Sequence, residues 1–576
     1  MWHHRGVERL KLQKSVEKQH LIFGIIFLSC LAVFLWRCFF SINYYDEPYG
    51  IAAIWRFFKG GAILAEDWHP SQQLTAWVLY PVYWFWYTVL GGNDGIMLGF
   101  RITYVVFQGI IACYCYYRLR KYNYFGAAAA LLFMFSTHNN MTTLNYNTIG
   151  IGCMMVLVTT LFTEENYQRT TLFLCGVLAA VIVLAQPFTI FIFLLWGLAV
   201  GISSIFKRKE SLPQLLRIDH FIYIGLGAAF VLMLFLAVIF SRASGKELLT
   251  GIYFNLNDPE HRMDISYKVL KYFERFYRYY KYQIVFIFVS ILIGFFKKGR
   301  ISDILRSACW CFSTGILIYY LIYHGWISDY VPIDFLSVPM AFYGISVFAL
   351  GRKKDWKLFF CWILPALMYS FCVQLATDTG ILAVSAATII ASAGGIILVC
   401  QAFFTERAYL PMTFEKCIMG ILVAVFLLQA GLLIRQRIIF TWWSAPVQEC
   451  TEIVTQGPAK GIRTSVEDLV WYENALKEID SLELTESDRL LIFEHASWLY
   501  LYADVPVATY SFWSVGEENF LDEYYEVFPD KYPTVIYTSD VEDAVNRSYI
   551  KKFLEEGYQL TTYASENISL QKYIRK

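Results

Sequence analysis

Hydrophobic residues collect in thirteen long runs separated by short polar segments. Runs of about 17–25 apolar residues are long enough to cross a bilayer as a helix. The pattern therefore predicts a polytopic α-helical membrane protein with about 13 transmembrane helices. The runs are 21–41, 98–117, 124–137, 148–163, 170–187, 188–206, 220–241, 283–297, 304–323, 331–350, 357–375, 380–403 and 415–437.

A further apolar stretch, 74–90, is rich in Trp and Tyr and is interrupted by Pro81. Tryptophan and tyrosine are enriched where the membrane meets water. This stretch is therefore predicted to be a helix that lies at the membrane surface.

The segment ISYKVLKYFERFYRYYKY, 265–282, repeats basic residues at three- and four-residue spacing with aromatic and aliphatic residues between them. This pattern is typical of an amphipathic helix lying in an interface. Its basic face can meet phospholipid headgroups, or it can meet the phosphate of a lipid-linked substrate.

Lysine and arginine in the short loops indicate how the chain crosses the membrane. Short cytoplasmic loops carry an excess of these residues. The N-terminus and the loops 118–121, 207–209, 297–300 and 352–354 are all basic. The N-terminus is therefore predicted to be cytoplasmic, which puts the first outer loop, 42–97, and everything after Ile438 outside the cytoplasm.

The composition changes near Thr441, where a polar C-terminal region begins. Helical and strand patterns alternate there, with helices predicted in 466–482 and 539–557 and strands in RLLIFEHA and PTVIYTS. We predict two domains: residues 1–440 form the transmembrane domain, and 441–576 form a small extracytoplasmic α/β domain. This region lacks a Gly-rich phosphate loop and an evident catalytic set, so a lid or accessory module is the favoured interpretation.

Composition and charge exclude several classes of protein. The chain is 57% hydrophobic and 16% charged, whereas soluble domains average about 25% charged. A net charge of +1 provides no field for a polyanion, so nucleic acid is not an expected partner. Most of the 13 cysteines lie in apolar runs without paired spacing, which argues against a disulfide framework or a structural zinc site.

The adjacent carboxylates Asp46 and Glu47 follow the first run by a few residues. A carboxylate at a membrane edge can act as a general base towards an acceptor hydroxyl or amine, or it can bind a cation. Acidic residues followed by Pro48 also suit the first turn of a helix. These interpretations are compatible with one another.

Further residues are candidates for catalysis or for binding a metal ion, donor phosphate or substrate. Glu66, Asp67 and His69 could share a metal ion or a proton, or they could form a solvated loop ahead of Pro70. Arg101 opens a spanning run, where arginine must snorkel, pair with an acid or contact a phosphate. The remaining candidates for binding donor phosphate or substrate are basic groups of the outer loops: Arg56, Lys59, His261 and Arg262.

These residues together resemble the GT-C superfamily of membrane glycosyltransferases. The similar features are one spanning helix, an outer D-E pair, the sequence EDWHP, an aromatic surface helix and a spanning helix opened by the arginine of LGFR. The protein O-mannosyltransferases and the lipid A aminoarabinose transferases are the most similar branch. Ser71 stands where the family has a second proline after its His-Pro pair.

The resemblance implies an activity and roles for individual residues. It implies transfer of a sugar from a polyprenyl-phosphate donor to a lipid, polysaccharide or protein acceptor. The transfer is expected on the extracytoplasmic side of a bacterial cell membrane. Asp46 takes the place of the catalytic base and Glu47 that of its acidic neighbour. Asp67 falls in a second acidic loop and is a further catalytic candidate, while His69 and Arg101 are candidates for binding the donor phosphate or substrate. The superfamily has metal-dependent and metal-independent branches, so a divalent metal remains an open possibility.

Other functions remain compatible with this sequence. The chain could be a carrier of polyprenyl-linked glycans, a ligase or a non-catalytic protein that binds lipid. The spanning runs are largely free of ionisable residues in their middle sections, which disfavours a proton-coupled transporter.

Overall fold

The structure is a computed structural model that describes residues 2–68, 71–206, 214–257, 264–296, 299–326, 336–350, 354–376, 381–401, 403, 412–513, 515, 520–539 and 544–572. Helices dominate the first part of the chain. They are α1 Trp2–Arg37, α2 Asp46–Phe58, α3 Thr75–Leu90, α4 Ile96–Leu119, α5 Tyr124–Phe135, α6 Tyr146–Thr163, α7 Arg169–Ala185, α8 Ile190–Phe206, α9 Ile218–Phe240, α10 Gly245–Leu256, α11 Ile265–Phe296, α12 Arg300–Trp326, α13 Pro339–Leu350, α14 Trp356–Leu358, α15 Leu364–Ala376, α16 Ile381–Cys400 and α17 Met412–Ile439.

Each of the thirteen predicted runs contains a helix. Among the described residues, eight helices are long and apolar enough to cross a membrane. A ninth span is the bent pair Ile265–Arg278 and Tyr280–Phe295, whose parts are inclined by 65°. The other four runs contain shorter apolar helices, Tyr124–Phe135, Arg169–Ala185, Pro339–Leu350 and Ala387–Cys400. The chain is a multi-pass membrane protein; its exact number of crossings and its orientation stay predictions.

Two glycines allow α7 and α9 to pack in direct backbone contact. A Cβ atom on Gly176 would lie 2.0 Å from the carbonyl oxygen of Ile224, and one on Gly227 would lie 2.0 Å from that of Phe173. Small residues are enriched where membrane helices approach this closely, because dispersion between backbones replaces the hydrophobic driving force.

The C-terminal part is a small α/β domain, as predicted. Its helices are α18 Val466–Ser481, α19 Ser497–Ala503, α20 Phe520–Val527 and α21 Ala544–Glu555. Its strands are β1 Glu452–Ile453, β2 Arg463–Thr464, β3 Leu490–Ile492, β4 Val535–Thr538, β5 Gln559–Thr562 and β6 Ile568–Gln571. The larger sheet has the order β3-β4-β6-β5, in which β3 and β4 are parallel and the other pairs are antiparallel.

This domain is joined to the chain segment that follows α1. The Ser41 amide donates to the carbonyl of Arg463 in β2 at 2.8 Å, and the Arg463 amide donates to the carbonyl of Phe39 at 2.7 Å. Trp68, in the loop between α2 and α3, stacks on Phe254 of α10 with ring centroids 4.1 Å apart. The loop is therefore packed between the helices and the C-terminal domain.

Candidate functional site

Asp46 is the first residue of α2, and Asn43 holds this helix end in place. The Oδ1 atom of Asn43 accepts hydrogen bonds from the backbone amides of Tyr45, Asp46 and Glu47 at 3.0, 2.7 and 3.3 Å. Its Nδ2 donates to the carbonyl of Trp442, just beyond α17, at 2.8 Å. The Asp46 carboxylate is half-buried at the positive end of the helix dipole, which favours a negative charge.

Glu47 and Arg101 form a buried, bidentate ion pair. Nε of Arg101 donates to Oε1 of Glu47, and Nη2 donates to Oε2, both at 2.6 Å. Each residue is only 2% exposed. The remaining N–H groups of Arg101 donate to the carbonyls of Cys38, Phe40 and Ser41 at 2.7–3.1 Å.

All five N–H groups of Arg101 are therefore used within the protein. Of the roles considered for Arg101, the structure shows pairing with the acidic pair through Glu47. The same guanidinium also satisfies carbonyls beyond the last turn of α1, which otherwise have no helical partner.

Aromatic rings from three parts of the chain meet at Tyr45, the residue that precedes Asp46. Tyr45 contacts Trp443 with centroids 6.1 Å apart, and it contacts His495 of the C-terminal domain at 6.2 Å. His495 in turn packs on Trp513 at 4.6 Å. Sequence reasoning missed His495, because no spacing pattern links it to a carboxylate about 450 positions earlier. The C-terminal domain thus contacts the residue next to Asp46.

Arg56 and Asp67 lie elsewhere, in a contact between the first outer loop and the C-terminal domain. Nη1 of Arg56 donates to Oδ1 of Asp67 at 2.6 Å and to the carbonyl of Thr509 at 2.8 Å, and Nη2 donates to the Tyr524 hydroxyl at 2.6 Å. Ten residues of helix separate Arg56 from Asp46, a rise of about 15 Å. The predicted acidic groups therefore fall in two separate places.

Burial and charge act in opposite directions within this second cluster. Complete burial raises the pKa of the Asp67 carboxyl to about 6, although the Arg56 guanidinium opposes the shift. Burial also disfavours the Glu66 carboxylate, but Arg56 and Lys531 outweigh it and hold the pKa of Glu66 below its usual value. Both carboxylates are therefore ionised against Arg56 at neutral pH.

The other predicted candidates are more peripheral or cannot be placed. Lys59 forms an exposed ion pair with Asp504 at 3.0 Å. His69, His261 and Arg262 lie outside the described residues, so their roles stay predictions. Within the described ranges there is no group of three or more His, Cys, Asp or Glu side chains that could hold a metal ion.

Sequence reasoning also missed two buried arginines near the site, Arg37 at the end of α1 and Arg437 in the last turn of α17. They are 2% and 1% exposed. Arg37 donates to the carbonyl of Phe40 and to the hydroxyls of Ser41 and Thr441. The available signal was an arginine at the end of an apolar run, which marks a functional or paired group as often as a snorkelling one.

No known family and no curated protein matches the sequence. Solved structures that the chain is similar to include the oligosaccharyltransferase of Archaeoglobus fulgidus in complex with zinc and sulfate (10% identity, TM-score 0.45, 96% of this chain and 72% of that one). Another is ArnT from Cupriavidus metallidurans bound to undecaprenyl phosphate (11% identity, TM-score 0.43, 96% of this chain and 98% of that one). A third is the mycobacterial arabinofuranosyltransferase AftD (10% identity, TM-score 0.42, 95% of this chain and 40% of that one).

Proposed function

We propose that the chain is a glycosyltransferase that moves a sugar from a polyprenyl-phosphate donor to an acceptor on the extracytoplasmic side of the membrane. The observation that carries this proposal is the held end of α2. There, a half-buried carboxylate is fixed beside the end of the first spanning helix by the Asn43 cap and the buried Glu47–Arg101 pair. A donor whose sugar is attached to a lipid phosphate must present that sugar at this level.

Asp46 is the proposed general base. It takes the proton of the acceptor hydroxyl or amine while the acceptor atom attacks the anomeric carbon. The bond from that carbon to the phosphate oxygen breaks, and its electron pair leaves on the polyprenyl phosphate. A single displacement inverts the configuration at the anomeric carbon. Both oxygens of Glu47 already accept hydrogen bonds from Arg101, so we assign the base to Asp46 and not to Glu47.

The other residues are proposed to act by positioning. Glu47 and Arg101 together set the direction in which α2 leaves the end of α1. Arg56, Asp67 and Lys59 hold the far end of α2 against the C-terminal domain. That domain thereby keeps His495 against Tyr45, the neighbour of Asp46. We assign Asp67 to the contact with Arg56 instead of to proton transfer.

The test compares membranes that carry the wild-type chain, Asp46→Asn or Asp94→Asn. Asp94 belongs to the same outer loop and is paired with Lys460 at the surface, so its variant is the matched control. The assay follows the loss of radiolabelled polyprenyl-phosphate hexoses and pentoses, with lipid binding measured in parallel.

We expect Asp46→Asn to keep donor binding and to lose turnover by at least about 100-fold, the usual contribution of a general base. The Asp94→Asn chain should turn over donor like the wild type. Equal turnover in the Asp46→Asn chain would remove Asp46 from the mechanism. If the wild type consumes none of these donors, the chain is instead a protein that binds or carries the lipid.

A further inference from the structure

Arg437 is a buried cation whose hydrogen-bonding capacity is only partly used. Its Nη1 donates to Oε1 of Gln108 at 2.7 Å and to the carbonyl of Met134. Its Cζ lies 3.8 Å from the centre of the Phe34 ring. Nε and Nη2, which carry three N–H groups, have no hydrogen-bond partner among the residues that the structure describes.

Two further buried polar atoms belong to the same part of the fold. Nε2 of the neighbouring Gln436 and Nδ1 of His138 also lack a partner within the described part of the chain. His138 and Gln108 line one small cavity of about 20 Å³, which is room for about one water molecule. Burial lowers the pKa of His138 to about 4, so its ring is neutral at pH 7 and adds no charge.

Positive charge exceeds negative charge in this buried region. Three guanidinium groups lie around the end of α1: those of Arg37 and Arg101 both donate to the carbonyl of Phe40, and that of Arg437 lies over the Phe34 ring. Among the described residues, the carboxylate that bonds one of these three guanidinium groups is that of Glu47, and both of its oxygens are committed to Arg101. Among the described residues, no carboxylate comes within 4 Å of Arg37 or Arg437.

A buried guanidinium without a counter-charge is costly, and the contacts of Arg437 with the rings of Phe34 and Tyr104 offset only a part of that cost. Such a site is stabilised when a ligand brings the missing negative charge. Three unused N–H groups on one planar guanidinium suit the oxygens of a phosphate, which arginine binds with two parallel hydrogen bonds.

The position of Arg437 also suits a donor phosphate. The Phe34 ring that contacts the Arg437 guanidinium lies one turn before Arg37 on α1. Arg37 in turn bonds Thr441, which follows the end of α17 and lies about one turn after Arg437. The ends of α1 and α17 therefore lie next to each other, beside the segment that leads to Asp46.

We infer that Arg437, assisted by Gln436, binds the phosphate group of the polyprenyl-phosphate donor. This inference rests on the proposed function and places the phosphate on a residue other than Arg101, whose donors are all occupied. Arg437 and Gln436 are buried and do not line the small cavity beside Gln108, so the proposed binding requires the Gln436 side chain to move. Its contact with Asn140 is long, at 3.4 Å, and is readily exchanged. As the anomeric bond breaks, the guanidinium stabilises the charge that develops on the departing phosphate oxygen.

The experiment measures binding of polyprenyl phosphate to the purified full-length chain in detergent. It compares the wild type with Arg437→Gln, Arg437→Lys and the matched control Arg435→Gln. Arg435 lies on the same helix, is half-buried and contacts the ring of Phe440. Inorganic phosphate and a polyprenol without phosphate are tested in parallel, so that a lipid phosphate, a free phosphate and the lipid chain alone are distinguished.

We expect Arg437→Gln to weaken binding of polyprenyl phosphate by about 10-fold or more, since charge-assisted hydrogen bonds are lost. The Arg437→Lys chain keeps the positive charge but cannot form two parallel hydrogen bonds. Its affinity for polyprenyl phosphate should fall by about half as much as that of Arg437→Gln on a logarithmic scale. The Arg435→Gln chain should bind like the wild type. If Arg437→Gln does not fold, the lysine variant decides the question, because it retains the buried charge.

Wild-type affinity in every folded Arg437 variant would overturn the inference, and so would inorganic phosphate binding as tightly as the lipid. These outcomes are separate from those of the proposed function, because binding requires no turnover. Binding that depends on Arg437 in a chain that consumes no donor would overturn the enzyme activity and retain the site.

Discussion

The ion pair between Glu47 and Arg101 provides the sharpest test of how α2 is held at the site. The change Glu47→Gln keeps the size of the side chain and one acceptor oxygen but removes the negative charge. Removing one partner of a buried pair costs about 3–5 kcal/mol, because the other charge stays buried without compensation. Since glutamine can still accept one of the two hydrogen bonds, we expect the free energy of unfolding to fall by about 3 kcal/mol.

The partner substitution Arg101→Met should cost more. It removes five hydrogen bonds, three of them to carbonyls beyond the end of α1. A buried acceptor left without a partner costs about 1–3 kcal/mol, so the loss should reach about 5 kcal/mol or more. The double variant Glu47→Gln/Arg101→Met should lose less than the sum of the two single losses, because the second change no longer breaks an intact pair.

The measurement is denaturant unfolding of the purified chain in detergent micelles, followed by tryptophan fluorescence. Lys59→Met is the control, since Lys59 and Asp504 form an ion pair whose side chains are 40% and 38% exposed. Exposed pairs of this kind contribute about 0–1 kcal/mol. If Glu47→Gln is no more destabilising than Lys59→Met, or if the losses for Glu47→Gln and Arg101→Met are additive, the buried ion pair does not fix α2.

Two further predictions concern contacts away from the site. Tyr524→Phe removes the hydroxyl that accepts from Nη2 of Arg56 at 2.6 Å; we expect a loss of about 1.5–3 kcal/mol and faster proteolysis of the C-terminal domain, and unchanged proteolysis would contradict this role. Gly176→Ala forces a Cβ to 2.0 Å from the Ile224 carbonyl oxygen and should cost about 1–3 kcal/mol in thermal or denaturant unfolding. Gly225→Ala on the facing helix meets no atom within 4 Å and should stay within about 1 kcal/mol of the wild type.

The sequence alone determined the helical elements and the class of the C-terminal domain. Apolar runs of the right length become helices because the bilayer leaves the backbone no other partner for its hydrogen bonds. These features depend on residues within one or two turns of each other, so the local pattern is sufficient to predict them.

The sequence also singled out the Asp46-Glu47 pair and Arg101, but it left open whether Arg101 snorkels, pairs or binds phosphate. The structure decides for pairing with Glu47. It also separates Asp67 from Asp46, although both had been considered for one catalytic site. The choice between such roles depends on which acceptors surround a guanidinium in three dimensions, and spacing along the chain does not specify that.

Only the tertiary structure brings together the partners that are far apart in the chain. Arg56 meets Tyr524 across 468 positions, and Arg437 meets Gln108 across 329. In a bilayer, an arginine near a helix end is equally compatible with snorkelling to water and with burial against other helices. The difference lies in helix packing, because only the neighbours in space determine whether a buried charge is satisfied by the protein or requires a ligand.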